Sequence, residues 1–399
     1  MHPAERLLAA SKGGRLSGTH LLLCVTSSIA AVEDVKLVRE FLRNGAEVTV
    51  AMTEDATRII HPDSLWFASG KKVILQLDGD VQHVSLCTSA EDSADAVLVA
   101  PCTANMISKL AMGICDDAVS TMLVTALGAG KPILLAPSMH GSMWANKIIQ
   151  ENLEKLKDLG VEVIAPSMDE GKAKMADIET IVLATGRNML GRPLKGKKVV
   201  VIGGSTSEPI DSVRSITNKS TGGTATSLAK DAYLLGADVE LVMGQCCMAL
   251  PKSIKTQRFR TVAELKKIIS GKKYSIALVP AAISDYTVDK PMKGKIPSDR
   301  ESLTIALRRA DKIVDSIKAG TIVGFKLEAG VKVDELKERA IARLRSSKMS
   351  VMVANRLEDI SPEDSTVYIL GKSGKSIELS GSREKIAQGI LDYLVREVK

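Results

Sequence analysis

The sequence predicts an α/β protein with two doubly wound, Rossmann-like domains, each built on a largely parallel sheet covered by helices. Two observations predict this fold class. Short aliphatic and β-branched runs alternate with amphipathic segments along the chain, and the alternation restarts near its middle. The 399 residues also exceed the size of one ordinary core. Because aromatic residues make up only 3% of the chain, the cores must be aliphatic, as those around buried parallel strands are.

Each half of the chain contains five predicted strands. Those of the first half are residues 20–25, 46–51, 96–100, 132–136 and 161–165, and those of the second half are residues 198–202, 238–243, 276–281, 321–325 and 349–354. Val32, Val35, Val38 and Leu42 follow the spacing of a first helix. Residues 1–17 are interpreted as a lead-in. Residues 186–197, rich in Gly, Lys and Arg, are interpreted as a linker, which predicts domains 1–189 and 190–399.

The amino-acid composition limits the classes of ligand and partner that the protein can have. The net charge of +7 suits anionic ligands or nucleic acid, but no block of five or six like charges occurs, so small phosphorylated ligands are favoured. The few aromatic residues argue against a single-strand nucleic-acid binder. The six cysteines show no C-x-x-C spacing and are interpreted as free thiols. No run is long and apolar enough to cross a bilayer, and no signal peptide is recognisable, so we expect a cytoplasmic protein without membrane or nucleic-acid partners.

The loops after the first-half strands carry small polar residues. Ligands of doubly wound sheets bind at the carboxyl ends of the strands. The first loop, residues 26–31, contains Thr26, Ser27 and Ser28 ahead of a helix, which is typical of a phosphate site but also of ordinary helix caps. The later loops, residues 101–106 and 137–144, read Pro-Cys-Thr-Ala-Asn-Met and Pro-Ser-Met-His-Gly-Ser-Met-Trp.

Together with the Asp116–Asp117 pair, these loops resemble those of the flavin-dependent cysteine decarboxylases, whose domain is flavodoxin-like. The resemblance implies bound FMN. Its phosphate would be held by Ser28 and Thr53, and its ring would lie against Thr103, Ala104 and Asn105. His83, in the stretch His-Val-Ser-Leu, would be the catalytic base, although an isolated histidine is more often structural. In this family the flavin takes a hydride from the carbon next to sulfur, which lets carbon dioxide leave.

Two departures affect the substrate site. The family usually has Asn where this chain has His140, and it carries a Cys in a clamp that corresponds to residues 170–175, where this chain has none. His140, Met143 and Lys174 are the predicted substrate contacts, with Lys174 equally interpretable as a surface lysine. The proton donor that would replace the clamp cysteine is left open.

The second half opens with a strand and the glycine-rich stretch 203–211. It matches neither G-x-G-x-x-G nor the P-loop, which argues against a nicotinamide oxidoreductase and a standard ATPase. The stretches that follow are T-x-E-x-I-D at 206–211, Ile-Thr-Asn at 216–218, Ala-Ala-Ile-Ser-Asp-Tyr at 281–286, Lys-Ile at 295–296, Gly-Phe-Lys-Leu-Glu at 324–328 and Val-Ala-Asn at 353–355. In this order they resemble the phosphopantothenate–cysteine ligase domain.

The ligase resemblance implies a nucleotide site. A carboxylate becomes reactive towards an amine after attack on a nucleoside triphosphate, a step that needs positive charge and a metal ion. Asn218 would contact the acyl-nucleotide and Lys295 would be a catalytic, nucleotide-binding cation. Asp285 would contact the nucleotide and Mg²⁺. The other nucleotide contacts would be Ala281, Phe325, Arg343 and Lys348. In strict alignment with the family, Ser347 occupies the second of two basic positions, and Lys348 is the basic residue beside it. CTP is favoured as co-substrate, with ATP left open.

The combined resemblance covers roughly residues 20–395 and implies a bifunctional enzyme of coenzyme A biosynthesis. It would join cysteine to 4′-phosphopantothenate as a carbon–nitrogen ligase and decarboxylate the product to 4′-phosphopantetheine as a carboxy-lyase. The families also imply a homo-oligomer with trimer and dimer contacts, such as a dodecamer. An alternative is a flavin-binding regulatory protein, which the missing clamp cysteine would fit. The presence of Asn218, Asp285 and Lys295 argues against that alternative.

Overall fold

The computed structural model describes residues 1–297, 302–361, 364–372 and 374–397. It divides into two compact units, Met1–Gly191 and Arg192–Lys399, which are described separately. Within the described residues, none of the helices combines the length and the apolar character needed to span a membrane.

The first unit contains eight strands and nine helices. The strands are β1 (His20–Val25), β2 (Glu47–Met52), β3 (Ala96–Cys102), β4 (Ile133–Pro137), β5 (Met139–His140), β6 (Glu162–Val163), β7 (Ser167–Asp169) and β8 (Lys172–Lys174). The helices are α1 (Pro3–Ala10), α2 (Asp34–Arg43), α3 (Pro62–Ser69), α4 (Gln82–Cys87), α5 (Ala104–Met112), α6 (Ala118–Gly128), α7 (Gly141–Trp144), α8 (Lys147–Asp158) and α9 (Ile178–Met189).

The main sheet of this unit has the strand order β2-β1-β3-β4-β6, and all its pairs are parallel. This is the flavodoxin-like order, so the predicted fold class is confirmed for the first half. Every residue of β3 is buried, because helices cover both faces of the sheet. The carboxyl ends of β1, β3 and β4 therefore bring their loops to one edge.

The structure adds to or departs from the predicted elements of this half at three places. The lead-in contains a helix, α1, which begins with a capping box at His2 and Glu5. Val32 is half-exposed and precedes α2, which begins at Asp34. The first residues of the predicted linker belong to α9, whose apolar face continues to Met189 and is buried in the core.

The described part of the second unit contains twelve strands and five helices. The strands are β9 (Lys198–Gly203), β10 (Ser207–Pro209), β11 (Ser215–Thr217), β12 (Asp238–Met243), β13 (Lys255–Arg258), β14 (Tyr274–Val279), β15 (Tyr286–Val288), β16 (Leu307–Arg309), β17 (Ala319–Glu328), β18 (Val351–Arg356), β19 (Ser365–Gly371) and β20 (Ser376–Gly381). The helices are α10 (Gly223–Leu234), α11 (Val262–Ile269), α12 (Ile313–Ser316), α13 (Val333–Arg345) and α14 (Arg383–Glu397).

The large sheet of this unit has the order β13-β12-β9-β14-β17-β18-β19-β20. Its first six strands are parallel in the doubly wound order 3-2-1-4-5-6, which confirms the predicted class. The sheet is mixed, because β19 and β20 are added antiparallel at its edge. That hairpin escaped prediction because β20 is mostly exposed and polar, so it lacks the apolar run of a buried strand.

Candidate functional sites

Hydroxyl groups bind the loops of the first sheet to one another at its carboxyl edge. The Thr26 hydroxyl donates to the carbonyl of Pro101 (2.7 Å) and accepts from the main-chain N–H of Thr103 (3.1 Å). The Ser28 and Ser138 hydroxyls are 3.0 Å apart, which ties the first loop to the fourth. Ser28 and Thr103, both predicted site residues, therefore lie in one cluster. The sequence analysis placed Thr26 and Ser138 in these loops but gave neither a role, although both are hydroxyl residues directly after buried strands.

Two predicted residues of this half bury a polar atom that has no hydrogen-bond partner among the described residues. They are the hydroxyl of Thr53, which follows β2, and Nδ1 of His83 on α4. The main-chain N–H of Thr53 donates to the carbonyl of Val25 (3.1 Å), so Thr53 lies beside the end of β1. Unsatisfied buried polar atoms are costly, and a phosphate or another polar ligand satisfies them. These residues fit the predicted flavin and its phosphate in that respect.

The helix that carries His83 begins at a strained residue. Val81 precedes α4 with a φ of 45°, a left-handed conformation that is unfavourable for a β-branched side chain. Such strain is retained where the surrounding structure over-determines the backbone, and it concentrates at functional sites. The helix also includes Cys87, which is buried, so the position of His83 is fixed from both ends of a short element.

The fourth loop is supported by the hairpin of β7 and β8. Strand β5, which ends at His140, pairs antiparallel with β8. A side chain on Gly141 would place its Cβ 2.2 Å from the carbonyl oxygen of Gly171, so only glycine fits this contact. Nδ1 of His140 accepts from the N–H of Ser142 (3.2 Å), which leaves the hydrogen of the neutral ring on Nε2, available as a donor. Met143 lies on the next turn and is half-exposed.

Lys174 is already engaged by acids of the same hairpin. Its Nζ lies 2.6 Å from Asp169 and 3.0 Å from Glu170. The two carboxylates raise the pKa of Lys174 and keep its ammonium charged. An anionic substrate would therefore have to compete with two local carboxylates for this lysine.

The cysteines are all free, as predicted. Burial raises the pKa of Cys87 to about 12 and also raises the pKa values of Cys24 and Cys102. These three remain protonated thiols at neutral pH and are packed in the first core rather than exposed as nucleophiles.

In the second unit, the hydroxyl groups of Thr217 and Thr206 join the glycine-rich loop to two other loops. The Thr217 hydroxyl donates to the carbonyl of Thr206 (2.7 Å), and the Thr206 hydroxyl accepts from the N–H of Ser284 (2.9 Å). The predicted site residue Asn218 donates from Nδ2 to the carbonyl of Ala282 (3.1 Å). Gly204 has a φ of +73° and no room for a Cβ beside Gln245, so the tight turn requires glycine.

Four of the predicted nucleotide contacts line one cavity of about 250 Å³ at the carboxyl ends of β14 and β17. They are Ala281, Asp285, Phe325 and Arg343. Because β14 ends at Val279, Ala281 lies in the loop rather than in the predicted strand. The exposed Lys348 is not among the residues lining this cavity, and its Nζ lies 3.4 Å from the main-chain carbonyl of Asp315. Two lysines that the sequence did not single out, Lys312 and Lys326, do line it.

Lys295 lies on an exposed loop whose base is anchored by a buried acid. The Asp211 carboxylate accepts from the N–H of Ile296 (3.0 Å) and from Nη1 of Arg214 (2.8 Å). Arg214 Nη1 also donates to the carbonyl of Ile296 (3.2 Å). Hydrogen bonds from main-chain N–H groups of Ile296, Arg214 and Val213, with the Arg214 guanidinium, hold the pKa of Asp211 far below its usual range. The sequence analysis placed Asp211 in the motif at 206–211 but did not predict that it anchors this loop. Its partner Ile296 lies 85 residues away in the sequence.

The acids of the cavity suit a magnesium ion that is shared with phosphates. Asp285 and Asp311 both line it, and the Asp285 carboxylate forms an ion pair with Lys312. No cluster of three or more His, Cys, Asp or Glu residues suited to a metal occurs in the described part of the chain. Mg²⁺ commonly binds through one or two carboxylates together with substrate phosphates and water, which is what this donor set permits.

Comparison with known proteins places these two units in families. Residues 9–189 match the family described as Flavoprotein, and residues 194–398 match the DNA/pantothenate metabolism flavoprotein C-terminal domain. The coenzyme A biosynthesis bifunctional protein CoaBC of Thermococcus kodakarensis is 41% identical over 92% of this chain and 92% of its own length. The protein of the same name from Methanocaldococcus jannaschii is 36% identical over 100% of this chain and 98% of its own.

A solved structure of the C-terminal domain of a CoaBC protein is 25% identical, covers 52% of this chain and 98% of its own, and has a TM-score of 0.44. The identity to the two full-length relatives alone shows the family. The chain therefore belongs to the CoaBC family of bifunctional coenzyme A biosynthesis enzymes, which combine a phosphopantothenoylcysteine decarboxylase with a phosphopantothenate–cysteine ligase.

Proposed function

We propose that residues 190–399 join cysteine to 4′-phosphopantothenate through a CTP-activated acyl-nucleotide. We further propose that residues 1–189 decarboxylate the resulting 4′-phosphopantothenoylcysteine with FMN as cofactor. Membership of the CoaBC family supports the pair of activities, and the match of residues 9–189 to the Flavoprotein family supports the flavin. The observation that carries the flavin assignment is the pair of buried polar atoms on Thr53 and His83, for which the described residues provide no hydrogen-bond partner.

In the first site, the hydroxyl cluster would hold the flavin phosphate. Ser28 and Thr53 supply hydroxyl groups, and the exposed N–H groups of the following helical turns add donors. Thr103, Ala104 and Asn105, at the start of α5, would line the ring. The bound flavin supplies the oxidising power that activates the cysteinyl carbon for loss of carbon dioxide.

Proton handling and substrate orientation fall to residues of the chain itself. His83 would take the proton, since its ring is held by a short fixed helix and its Nδ1 has no partner among the described residues. His140 would donate from Nε2 to the substrate carboxylate, while Met143 would contact its apolar part. Lys174 would contribute little as a substrate contact, because its ammonium is paired with Asp169 and Glu170.

In the second site, Lys295 would neutralise the phosphates from its anchored loop. Asp285 would hold Mg²⁺ and contact the nucleotide, and Asn218 would orient the acyl-nucleotide. Ala281, Phe325 and Arg343 would shape and charge the cavity. Lys348, the remaining predicted nucleotide contact, is not among the residues that line it. We further propose a homo-oligomer with trimer and dimer contacts, up to a dodecamer.

Flavin binding tests the observation on which this function depends. We expect the purified protein to carry FMN and show the absorption of a bound flavin. Thr53→Val should weaken FMN binding by about ten- to a hundredfold, because one hydrogen bond to a charged phosphate is lost. Thr57→Val is the matched control, since the Thr57 hydroxyl already donates to the carbonyl of Glu54 (2.6 Å). A protein that takes up no added FMN, or a Thr53→Val variant with unchanged affinity, would contradict the assignment.

A further inference from the structure

Two lysines outside the predicted set line the cavity that contains Asp285, Phe325 and Arg343. Lys326 pairs with Glu328 at 2.8 Å, and Glu328 also receives Arg339 at 3.2 Å, so Lys326 belongs to a local network on β17 and α13. Lys312 differs, because the partner of its ammonium is Asp285, the acid predicted to hold the metal. A cation and the predicted metal ligand thus already face each other in this cavity.

The cavity needs positive charge that the predicted residues only partly provide. Two basic positions were expected beside the nucleotide, and Arg343 lines the cavity as one of them. Lys348, assigned to the other, is directed to the carbonyl of Asp315 and is not among the lining residues. Lys312 supplies a second cation at the cavity wall, from a position more than thirty residues earlier in the sequence.

The ion pair of Lys312 with Asp285 is one that a ligand can displace. The side chains are 35% and 65% exposed, and ion pairs at such exposure contribute little to stability. A nucleoside triphosphate offers several phosphate oxygens, which bind an ammonium more strongly than one screened carboxylate does. A magnesium ion arriving with the phosphates would give the Asp285 carboxylate a new partner.

We propose that Lys312 is a phosphate-binding residue of the nucleotide site, which exchanges its partner when the magnesium–nucleotide complex binds. The Lys312 ammonium leaves Asp285 for a phosphate oxygen, and the Asp285 carboxylate turns to the magnesium ion. Lys312 thereby occupies the role for which Lys348 was predicted. This inference rests on the proposed ligase function and assigns it one further residue.

Calorimetric titration of the intact protein with CTP and Mg²⁺ tests the exchange directly. Lys312→Met should weaken CTP binding by about ten- to a hundredfold, and it should leave binding of cytidine, which has no phosphates, within about twofold. Lys312→Arg, which keeps the charge, should retain most of the affinity for CTP.

Lys272→Met is the matched control, because it also removes one lysine from an ion pair, and Lys272 and Lys312 are both 35% exposed. Lys272 pairs with Glu240 at 2.5 Å and lines a different cavity of about 320 Å³ beside the starts of β12 and β14. Its CTP affinity should stay within about twofold of that of the original protein.

Three outcomes would overturn the proposal. If Lys312→Met binds CTP as tightly as the original protein, or more tightly, Lys312 only pairs with Asp285. If Lys272→Met weakens binding equally, the effect is general electrostatics. Each of these leaves the ligase function intact, provided the unaltered protein forms phosphopantothenoylcysteine. If the unaltered protein binds neither CTP nor ATP, the proposed ligase function fails together with this inference.

Discussion

The two sites prepare for their ligands in different ways, although both lie at the carboxyl edge of a doubly wound sheet. In the first site, hydroxyls bind the loops together, while the buried polar atoms of Thr53 and His83 have no partner among the described residues. In the second site, charged groups are satisfied by one another, as in the Asp285–Lys312 and Lys326–Glu328 pairs. The first site therefore has buried polar atoms that a bound ligand can satisfy. In the second site, charged side chains form ion pairs with one another, and a ligand can replace one partner of such a pair.

This difference matches the ligands proposed for the two sites. A cofactor that stays bound can satisfy buried polar atoms permanently, so the protein need not satisfy them itself. A nucleotide that enters and leaves in every turnover needs side chains that can return to internal partners. The contrast predicts that substitutions in the first site act on cofactor retention or chemistry, while those in the second act mainly on nucleotide affinity and turnover.

The largest effect is expected at His83. His83→Asn should lower carbon dioxide release from phosphopantothenoylcysteine by about 10²–10⁴-fold, because general acid–base catalysis contributes that much. FMN content and the ligase reaction should be unchanged. The measurement is single-turnover carbon dioxide release at matched flavin content. Unchanged release would remove His83 from the chemistry and leave it as a structural histidine.

Lys295 tests the second site independently. Lys295→Gln should slow formation of phosphopantothenoylcysteine by about 10²–10³-fold, since a charge that stabilises the phosphate transition state is lost. Decarboxylation of supplied phosphopantothenoylcysteine should continue at the original rate. Loss of both reactions in a folded variant would show that the two sites are coupled. It would contradict the claim that each site acts on its own ligand independently.

The anchor beneath Lys295 should have a smaller effect. Asp211→Asn should lower the ligase turnover number by about tenfold with little change in the Michaelis constant for phosphopantothenate, because the loop base loosens while the substrate contacts remain. Asp63→Asn, at an exposed carboxylate of α3 in the other unit, is a control that should change neither. Unaltered kinetics in Asp211→Asn would mean that the anchor does not position Lys295.

The same anchor gives a pH dependence of stability. The pKa of Asp211 is lowered in the folded protein, so its stabilising contribution is present above the unfolded value of about 4. That contribution is lost progressively as the pH falls below about 4. Stability to denaturant from pH 5 to 8 should therefore show no Asp211 titration, and acid unfolding should begin at higher pH in Asp211→Asn.

Lys174 should give the smallest effect. Its ammonium is shared by Asp169 and Glu170 on an exposed hairpin. Such pairs are worth little, and a substrate gains little from an already neutralised charge, so Lys174→Met should change decarboxylation by less than about threefold. If Lys174→Met instead binds phosphopantothenoylcysteine about a hundredfold more weakly, the substrate must displace Asp169 and Glu170 from Lys174.

The sequence predicted the parts of the fold that follow from buried, local patterns. Most strands of the two parallel series were predicted because they are aliphatic and buried, and β1 and β12 match their predicted bounds. The parallel strand β13 was missed because it is polar and partly exposed. The hairpins β7–β8, β15–β16 and β19–β20 were missed because they are short, exposed or polar. The start of the linker was placed too early because Gly186 lies inside α9, where propensity alone argues for a break.

For the sites, sequence motifs identified loops better than they identified contacts. Thr53 and Asp285 were assigned by family resemblance, Thr53 after the second strand and Asp285 within the stretch 281–286. The Asp211–Ile296 and Asp285–Lys312 contacts join positions 85 and 27 residues apart, which no local pattern connects. Lys348 was assigned because it lies beside Ser347, the position in strict register, whereas Lys312, which no motif singled out, lines the cavity.

The most direct test of the central claim follows the cysteine carboxyl group through the intact protein. Phosphopantothenate, carboxyl-labelled cysteine, CTP and Mg²⁺ are supplied, and labelled carbon dioxide is measured. The proposed function predicts release only when phosphopantothenate and the nucleotide are both present, and nucleotide-independent release when labelled phosphopantothenoylcysteine is supplied instead. No release from the complete mixture, or release from cysteine without phosphopantothenate, would contradict the assignment of two successive reactions to this chain.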